Sequence, residues 1–211
     1  TSTWWSVIKS LGPMFEREDW CILRLSASSK VSYVFDDYKS NDIIRISTLK
    51  NGKREAPKKL GPAVNTGKFN AHPFIAPDES YIIWDGERES GFGNSDLYIS
   101  FQRQDGSWGE AINLGDKINT EAREASAYVT PDAKYLFYNR TVSSRDGDKF
   151  WEDAQEIESL RPKNTEHPIA YGSNGICLAN SEGTSEVRLT SGDHGYPAWS
   201  PDGKRLAFYG Y

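Results

Sequence analysis

The sequence predicts an all-β fold that is built from repeated units of four short strands. A strand–turn–strand pattern recurs along the chain, and two of its occurrences, residues 71–88 and 125–142, align without gaps. The 211 residues include 18 Gly and 10 Pro but one Met, a composition that suits tight turns better than long helices. A period of about 40 to 55 residues is typical of β-propeller blades.

Each unit begins with a hairpin. Its turn is centred on Pro77-Asp78, Pro131-Asp132 or Pro201-Asp202, where Pro presets φ and Asp can accept a hydrogen bond from the backbone that follows. Residues 21–38 form a degenerate fourth hairpin. Because these aspartates recur in every unit, we interpret them as turn residues rather than as parts of an active site.

Further strands follow two of these hairpins. A third strand is expected at residues 41–47 and 95–101, and a fourth short segment ends in Leu-Gly at residues 60–61 and 114–115. The sequence LGPAVNT at the first of these positions parallels LGDKINT at the second. These segments complete two four-stranded units.

Counting the units predicts one domain over residues 1–211. Four units lie at about 16–61, 69–115, 123–161 and 164–190, the last with strands at 169–171, 176–179 and 186–190. The end of the third unit departs from the pattern, since Trp151, Ala154, Ile157, Glu158 and Leu160 are spaced like one or two helical turns that stop before Pro162.

The two ends of the chain each hold an incomplete unit. Residues 5–12 match the outer-strand spacing of residues 108–115, whereas residues 195–211 form a lone inner hairpin. We expect these segments, residues 1–12 plus 195–211, to pair in one closing blade, because an open sheet edge invites aggregation. The prediction is therefore a small propeller of about five four-stranded blades, closed by the N-terminal outer strand and the C-terminal inner hairpin.

Composition excludes several classes of function. The net charge of −5 and the isoelectric point near 5.3 argue against a nucleic-acid partner, which requires a basic face. No apolar run is long enough for membrane insertion. The spacing of the three histidines fits no metal motif, so we expect no metal site. We also expect no cofactor and a monomeric chain.

The two cysteines, Cys21 and Cys177, both fall in segments that read as buried strands. Buried small hydrophobic side chains are the simpler interpretation. A single disulfide remains the alternative if the protein is exported.

The candidate site is a set of positions just before and within each inner strand, beside the channel of a propeller. These positions are equivalent between units but differ chemically, and convergent polar and aromatic groups favour ligand binding. The alternative is that they are solvated loop residues around a water-filled channel. The candidates are Asp19, Trp20, Phe69, Asn70, His72, Arg123, Glu124, Asp193 and His194.

Two stretches resemble a known family. PAWSPDGKRLAFYG at residues 197–210 is similar to the WD-like repeats of periplasmic TolB-type β-propellers. GNSDLYISFQRQDGSWGEAINLG at residues 93–115 is similar to the variant of this repeat in bacterial cell-envelope proteins. The resemblance implies a periplasmic or extracellular binding platform, and since TolB-type members typically have six blades, five units would be a departure.

The predicted function is therefore a non-enzymatic binding or scaffolding propeller that recognises a protein, peptide or glycan at the channel mouth. The first alternative is a glycoside hydrolase that uses the carboxylates of Asp19, Glu124 and Asp193, for which two carboxyl groups must lie about 5 Å or about 6.5–9.5 Å apart. The second alternative is an accessory domain or fragment of a larger protein.

Overall fold

The computed structural model describes residues 10–16, 19, 21–40, 42–103, 105–143, 146–162, 169–172, 174–179, 186–200 and 205–210. The chain divides into two compact units, Thr1–Arg161 and Pro162–Tyr211. Nearly all regular structure in these residues is antiparallel β-sheet, which confirms the all-β class. No helix in the described part of the chain is long and apolar enough to cross a bilayer.

Sheet I is the first sheet of unit 1 and has the order β1-β2-β3, with two short strands that also pair with β3. A 3-10 turn at Tyr38–Ser40 connects β2 to β3. The segment before Leu60 supplies the expected outer strand, whereas Cys21 lies before the first strand and not inside it, contrary to the prediction. The strands are β1 (Leu25–Ala27), β2 (Ser32–Asp37), β3 (Ile43–Lys50), β4 (Lys53–Arg54) and β5 (Lys58–Lys59).

Sheet II has four antiparallel strands in the order β6-β7-β8-β9, as the repeat predicts. Its inner hairpin turns at Pro77-Asp78, and the Asp78 carboxylate accepts a hydrogen bond from the Ser80 N–H at 3.1 Å, which is the expected turn chemistry. The strands are β6 (Lys68–Ile75), β7 (Tyr81–Glu87), β8 (Asp96–Phe101) and β9 (Ile112–Asn113).

Sheet III has three strands, β10 (Arg123–Val129), β11 (Tyr135–Ser143) and β12 (Asp146–Asp153), followed by helix α1 (Gln155–Ser159). The short helix confirms the expected change from strand to helical spacing, and Ala154 and Ile157 are buried. Trp151 was wrongly assigned to this helix. It lies in β12, where its ring packs edge-on against Tyr135 at 5.3 Å.

The core of unit 1 lies between successive sheets. Strand β7 is buried on both faces, and its alternating side chains belong to two clusters: Ile82 and Trp84 pack toward sheet I, whereas Tyr81 and Ile83 pack toward sheet III. Full burial of each such side chain stabilises the fold by about 1.5–3 kcal/mol. Sheet II is therefore held from both sides by its neighbours.

Unit 2 contains two sheets. Sheet IV has β13 (Ile169–Gly172), β14 (Ile176–Ala179) and β15 (Glu186–Arg188), and sheet V is the hairpin of β16 (His194–Trp199) and β17 (Leu206–Gly210). β14 has the predicted bounds, and β15 ends two residues earlier than expected. The N-terminal strand of the closing blade (residues 1–9) and the Pro201-Asp202 turn lie outside the described residues.

Candidate functional site

The inner strands share an irregularity at one position of the repeat. In β6, β10 and β16 the pairing register shifts, and a residue other than glycine takes a left-handed conformation there: His72 with φ 47°, Ser126 with φ 58° and Tyr196 with φ 52°. Such residues carry backbone strain that the surrounding structure must offset. Since the bulge recurs in three strands, it is a feature of the repeat and not of one site.

In unit 1 the bulge directs a backbone N–H at the sheet that precedes it. The His72 N–H donates to the Asp36 carboxylate at 2.9 Å, and the Ser126 N–H donates to the Asp85 carboxylate at 3.0 Å. Asp36 and Asp85 occupy equivalent positions in β2 and β7, and each is about 1% exposed. Each carboxylate therefore fastens its own sheet to the following one.

These two aspartates were not predicted as site residues. The turn of sheet I closes with the Ser28 N–H donating to the Ser32 carbonyl, whereas the turn of sheet II closes from Ala76 to Tyr81 and is one residue longer. The two aspartates align once this one-residue difference in turn length is taken into account. Each of them directly follows an aromatic residue. The pattern of aromatic residue and then Asp in the second strand was the available signal.

The shorter turn of sheet I also changes which of its residues correspond to the start of the inner strand of sheet II. The positions in sheet I that correspond to Phe69 and Asn70 are Cys21 and Ile22, two residues after Asp19 and Trp20. Asp19 is exposed, and Trp20 lies outside the described residues.

His72 also binds Asp85 through its side chain. Its Nδ1 lies 3.0 and 3.1 Å from the two carboxylate oxygens of Asp85, so this aspartate receives hydrogen bonds from both sheets II and III. The hydrogen bond to Asp85 raises the pKa of the His72 imidazole, although partial burial acts in the opposite direction.

Two of the predicted site residues present their side chains to solvent. Phe69 is 52% exposed and has a left-handed backbone with φ 53°, and Arg123 is exposed at the equivalent place on sheet III. Asn70, by contrast, is buried, and its side-chain oxygen accepts a hydrogen bond from Trp84 Nε1 at 3.3 Å.

Glu124 is fully buried and its carboxylate is engaged within unit 1. It accepts hydrogen bonds from Arg140 Nε at 2.8 Å, from the Thr120 N–H at 3.0 Å and from Thr120 Oγ1 at 2.6 Å. A general acid or base must reach a substrate, and these contacts hold Glu124 away from solvent.

The remaining predicted residues lie in unit 2, where Asp193 is exposed and His194 is partly buried beside Phe208. Across the described ranges, no group of three or more His, Cys, Asp or Glu side chains is placed to hold a metal ion. Cys21 is half-buried and Cys177 is buried, and no disulfide joins them.

A cavity of about 230 Å³ opens beside the bulges of unit 1. Arg24 reaches it from sheet I, at the position equivalent to His72, and the other walls come from sheet III. Those walls include Ser126, Tyr128, Phe137, Asn139 and Lys149. The sequence offered no signal for this cavity, since strands that are distant in the chain form it.

The chain is similar to several solved structures, although no family model and no curated protein matches its sequence. TolB from Acinetobacter baumannii is 16% identical with a TM-score of 0.38, over 90% of this chain and 37% of that one. The putative TolB from Agrobacterium tumefaciens is 14% identical with a TM-score of 0.43, over 92% of this chain and 61% of that one.

A chain of a nidogen/laminin complex is also similar, with 12% identity and a TM-score of 0.42 over 90% of this chain and 57% of that one. The two TolB chains are of the kind that the repeats of this sequence resemble, and all three similarities have TM-scores below 0.5. The chain spans 37% and 61% of the length of the two TolB chains that it matches.

Proposed function

We propose that this chain is a non-enzymatic binding module of the propeller type, which recognises a protein or peptide where inner strands β6 and β10 begin. One observation carries the proposal. At this end of unit 1 Phe69 and Arg123 are exposed, together with Lys68, Phe92 and Glu121. The carboxylates of Asp36, Asp85 and Glu124, by contrast, are buried and engaged in hydrogen bonds. Aromatic and arginine side chains are the usual anchors of protein interfaces.

A glycoside hydrolase is less well supported. It would require Glu124 to leave Arg140 and Thr120, which would remove the carboxylate partner of a half-buried guanidinium and the acceptor of the Thr120 N–H, at a cost on the order of 1–3 kcal/mol. The carboxylates of Asp36 and Asp85 serve the contacts between sheets and that of Glu124 serves contacts at sheet III, and this use favours a binding function.

The proposed architecture follows the sequence repeats. Residues 1–211 would form one propeller of about five blades, in which residues 1–12 complete the blade of residues 195–211. The module would be a monomer in the periplasm or outside the cell, and a glycan is the alternative ligand. The alternative architecture is an accessory domain or fragment of a larger protein, with the same binding surface.

The surface is tested by selecting random peptides on the immobilised chain and measuring their affinity for variants by calorimetry. Phe69→Ala and Arg123→Ala should each weaken the selected peptides by about tenfold or more, because truncating an anchor costs on the order of 2 kcal/mol. Leu49→Ala and Arg103→Ala are the controls, since both residues are exposed and lie at the opposite end of their sheets.

The controls should bind like the unmodified chain. Equal affinity of the selected peptides for all four variants would remove this surface from consideration. Hydrolysis of a bound glycan would instead support the enzyme.

A further inference from the structure

The cavity beside the bulges has a free cationic group in its wall. Among the described residues, no hydrogen bond or ion pair engages the Arg24 guanidinium, although its backbone N–H donates to Asp36 at 2.9 Å. Burial lowers the pKa of Arg24, while the nearby Asp85 and Asp36 carboxylates oppose that shift. A half-buried guanidinium whose N–H donors no described residue engages favours a ligand that accepts hydrogen bonds in its plane.

A second cation and two neutral polar groups face the same space. Lys149 Nζ donates to the Asn139 side-chain oxygen at 3.0 Å, and Ser126 lies at the edge of the cavity. An ammonium group has three donors, so Lys149 keeps donors for a ligand after this contact. The polar wall therefore offers hydrogen-bond donors from both sheet I and sheet III.

An aromatic pair forms the remaining wall. Tyr128 and Phe137 stack with ring centroids 5.3 Å apart and an interplanar angle of 11°, and Tyr128 is 42% exposed. An exposed face of this kind accepts another ring or an apolar side chain.

The surrounding charges favour a ligand with one negative charge. Asp36 and Asp85 lie near Arg24, but each already accepts hydrogen bonds from the backbone, and Asp85 also from His72. Two cations beside two such carboxylates suit a monoanion better than a dianion such as phosphate. A carboxylate fits the planar donor geometry of arginine.

We infer that this cavity binds a carboxylate next to an aromatic or apolar group of the ligand. Arg24 and Lys149 hold the carboxylate, and Tyr128 and Phe137 contact the apolar group. The inference rests on the proposed function and names the ligand chemistry. The carboxylate has two sources, the C-terminus of a peptide or an acidic side chain within it.

The test measures binding of three small probes to the full chain by calorimetry. N-acetylphenylalanine carries the carboxylate at a C-terminus, N-acetylphenylalaninamide is its neutral counterpart, and acetyl-Asp-Phe-amide carries the carboxylate on a side chain. The acid should bind at least about tenfold more tightly than the amide, and Arg24→Gln should abolish this difference. Preference between the two acids identifies the source.

Lys149→Gln is the second variant, because Lys149 is exposed and its replacement leaves the core unchanged. It should weaken the acid several-fold and leave the amide unaffected, while the matched control Arg103→Gln should change neither. Equal binding of acid and amide, or an acid affinity that survives both variants, overturns the inference. A selected peptide that depends on Phe69 and Arg123 but not on Arg24 overturns the carboxylate site and leaves the proposed function standing.

Discussion

At the scale of single residues, His72 combines a strained backbone with a side chain that senses pH. Its left-handed backbone directs the N–H to Asp36, while its imidazole binds Asp85 in its own sheet. The titratable and charged groups around it are Asp85, Asp36 and Arg24. Because the hydrogen bond to Asp85 favours the charged imidazole, folding stabilises the protonated form.

His72 should make the folded state more stable in mild acid than in mild alkali. Its pKa in the folded chain is raised above the ordinary value of 6.5, so its contribution is complete below pH 6.5 and disappears as pH rises through the raised value. The free energy of unfolding in urea, measured between about pH 6 and pH 9, should therefore fall more steeply in the unmodified chain than in His72→Gln.

His194→Gln controls for the loss of a histidine in unit 2. If the pH dependence of the unmodified chain and of His72→Gln coincide, the contact between His72 and Asp85 contributes nothing in solution.

At the scale of elements, a buried asparagine fixes the loop after the outer strand. Asn119 accepts a hydrogen bond from the Leu97 N–H at 2.8 Å and donates to the Leu97 carbonyl at 2.9 Å. Asn65 makes the same pair of contacts to Ile44 at 2.7 and 2.9 Å. Asn119 and Asn65 are the next-to-last residues of the repeated segments LGDKINT and LGPAVNT. The shared contact explains why asparagine recurs at this position.

Asn119→Ala should lower the free energy of unfolding by on the order of 1–3 kcal/mol, since it leaves the buried Leu97 N–H without an acceptor, whereas the Leu97 carbonyl keeps the Leu114 N–H as its donor. Urea denaturation followed by tryptophan fluorescence measures the change. Asn94→Ala is the control, because Asn94 is exposed and contributes a backbone contact alone; it should stay within about 0.5 kcal/mol. Similar values for the two variants would contradict the role of Asn119.

The sequence predicted the elements better than the site. Pro-Asp turns and alternating apolar residues are local signals, and they identified the hairpins of sheets II and III and the bounds of β14. The bulges at His72 and Ser126 could not be predicted, because the groups that stabilise them, Asp36 and Asp85, lie in another sheet. Glu124 looked like a channel carboxylate because Arg140, its partner, is 16 residues away in the chain.

At the scale of the whole molecule, sheets I and II of unit 1 are joined at both ends. Asp36 acts near the start of the inner strands, and Glu79 acts at the opposite turn. The Glu79 carboxylate accepts hydrogen bonds from Ser28 Oγ, the Val31 N–H and the Ser32 N–H at 2.6, 3.0 and 2.8 Å. Burial tends to raise the pKa of Glu79, but these hydrogen bonds outweigh burial and hold it below its ordinary value.

Glu79→Ala should destabilise unit 1 by on the order of 1–3 kcal/mol at neutral pH, because the Val31 N–H loses its acceptor and the Ser32 N–H keeps only Ser28 Oγ. The contribution is present above pH 4.5 and disappears as pH falls through the lowered value, so the two unfolding curves should converge in acid. Asp78→Ala, which removes a carboxylate that bonds inside its own turn, should cost less than about 1 kcal/mol. A constant difference between Glu79→Ala and the unmodified chain down to acid pH would show that ionised Glu79 does not join the sheets.

The contacts of Asp36 and Asp85 run in one direction, since each carboxylate receives the N–H of the sheet that follows. The gene segment that encodes sheet II therefore carries both halves of the joint, the carboxylate of Asp85 on its second strand and the bulge at His72 on its first. Tandem duplication of such a segment yields a sheet that already fits the one before it and the one after it. Chains with this joint can change their number of sheets during evolution without inventing a new contact.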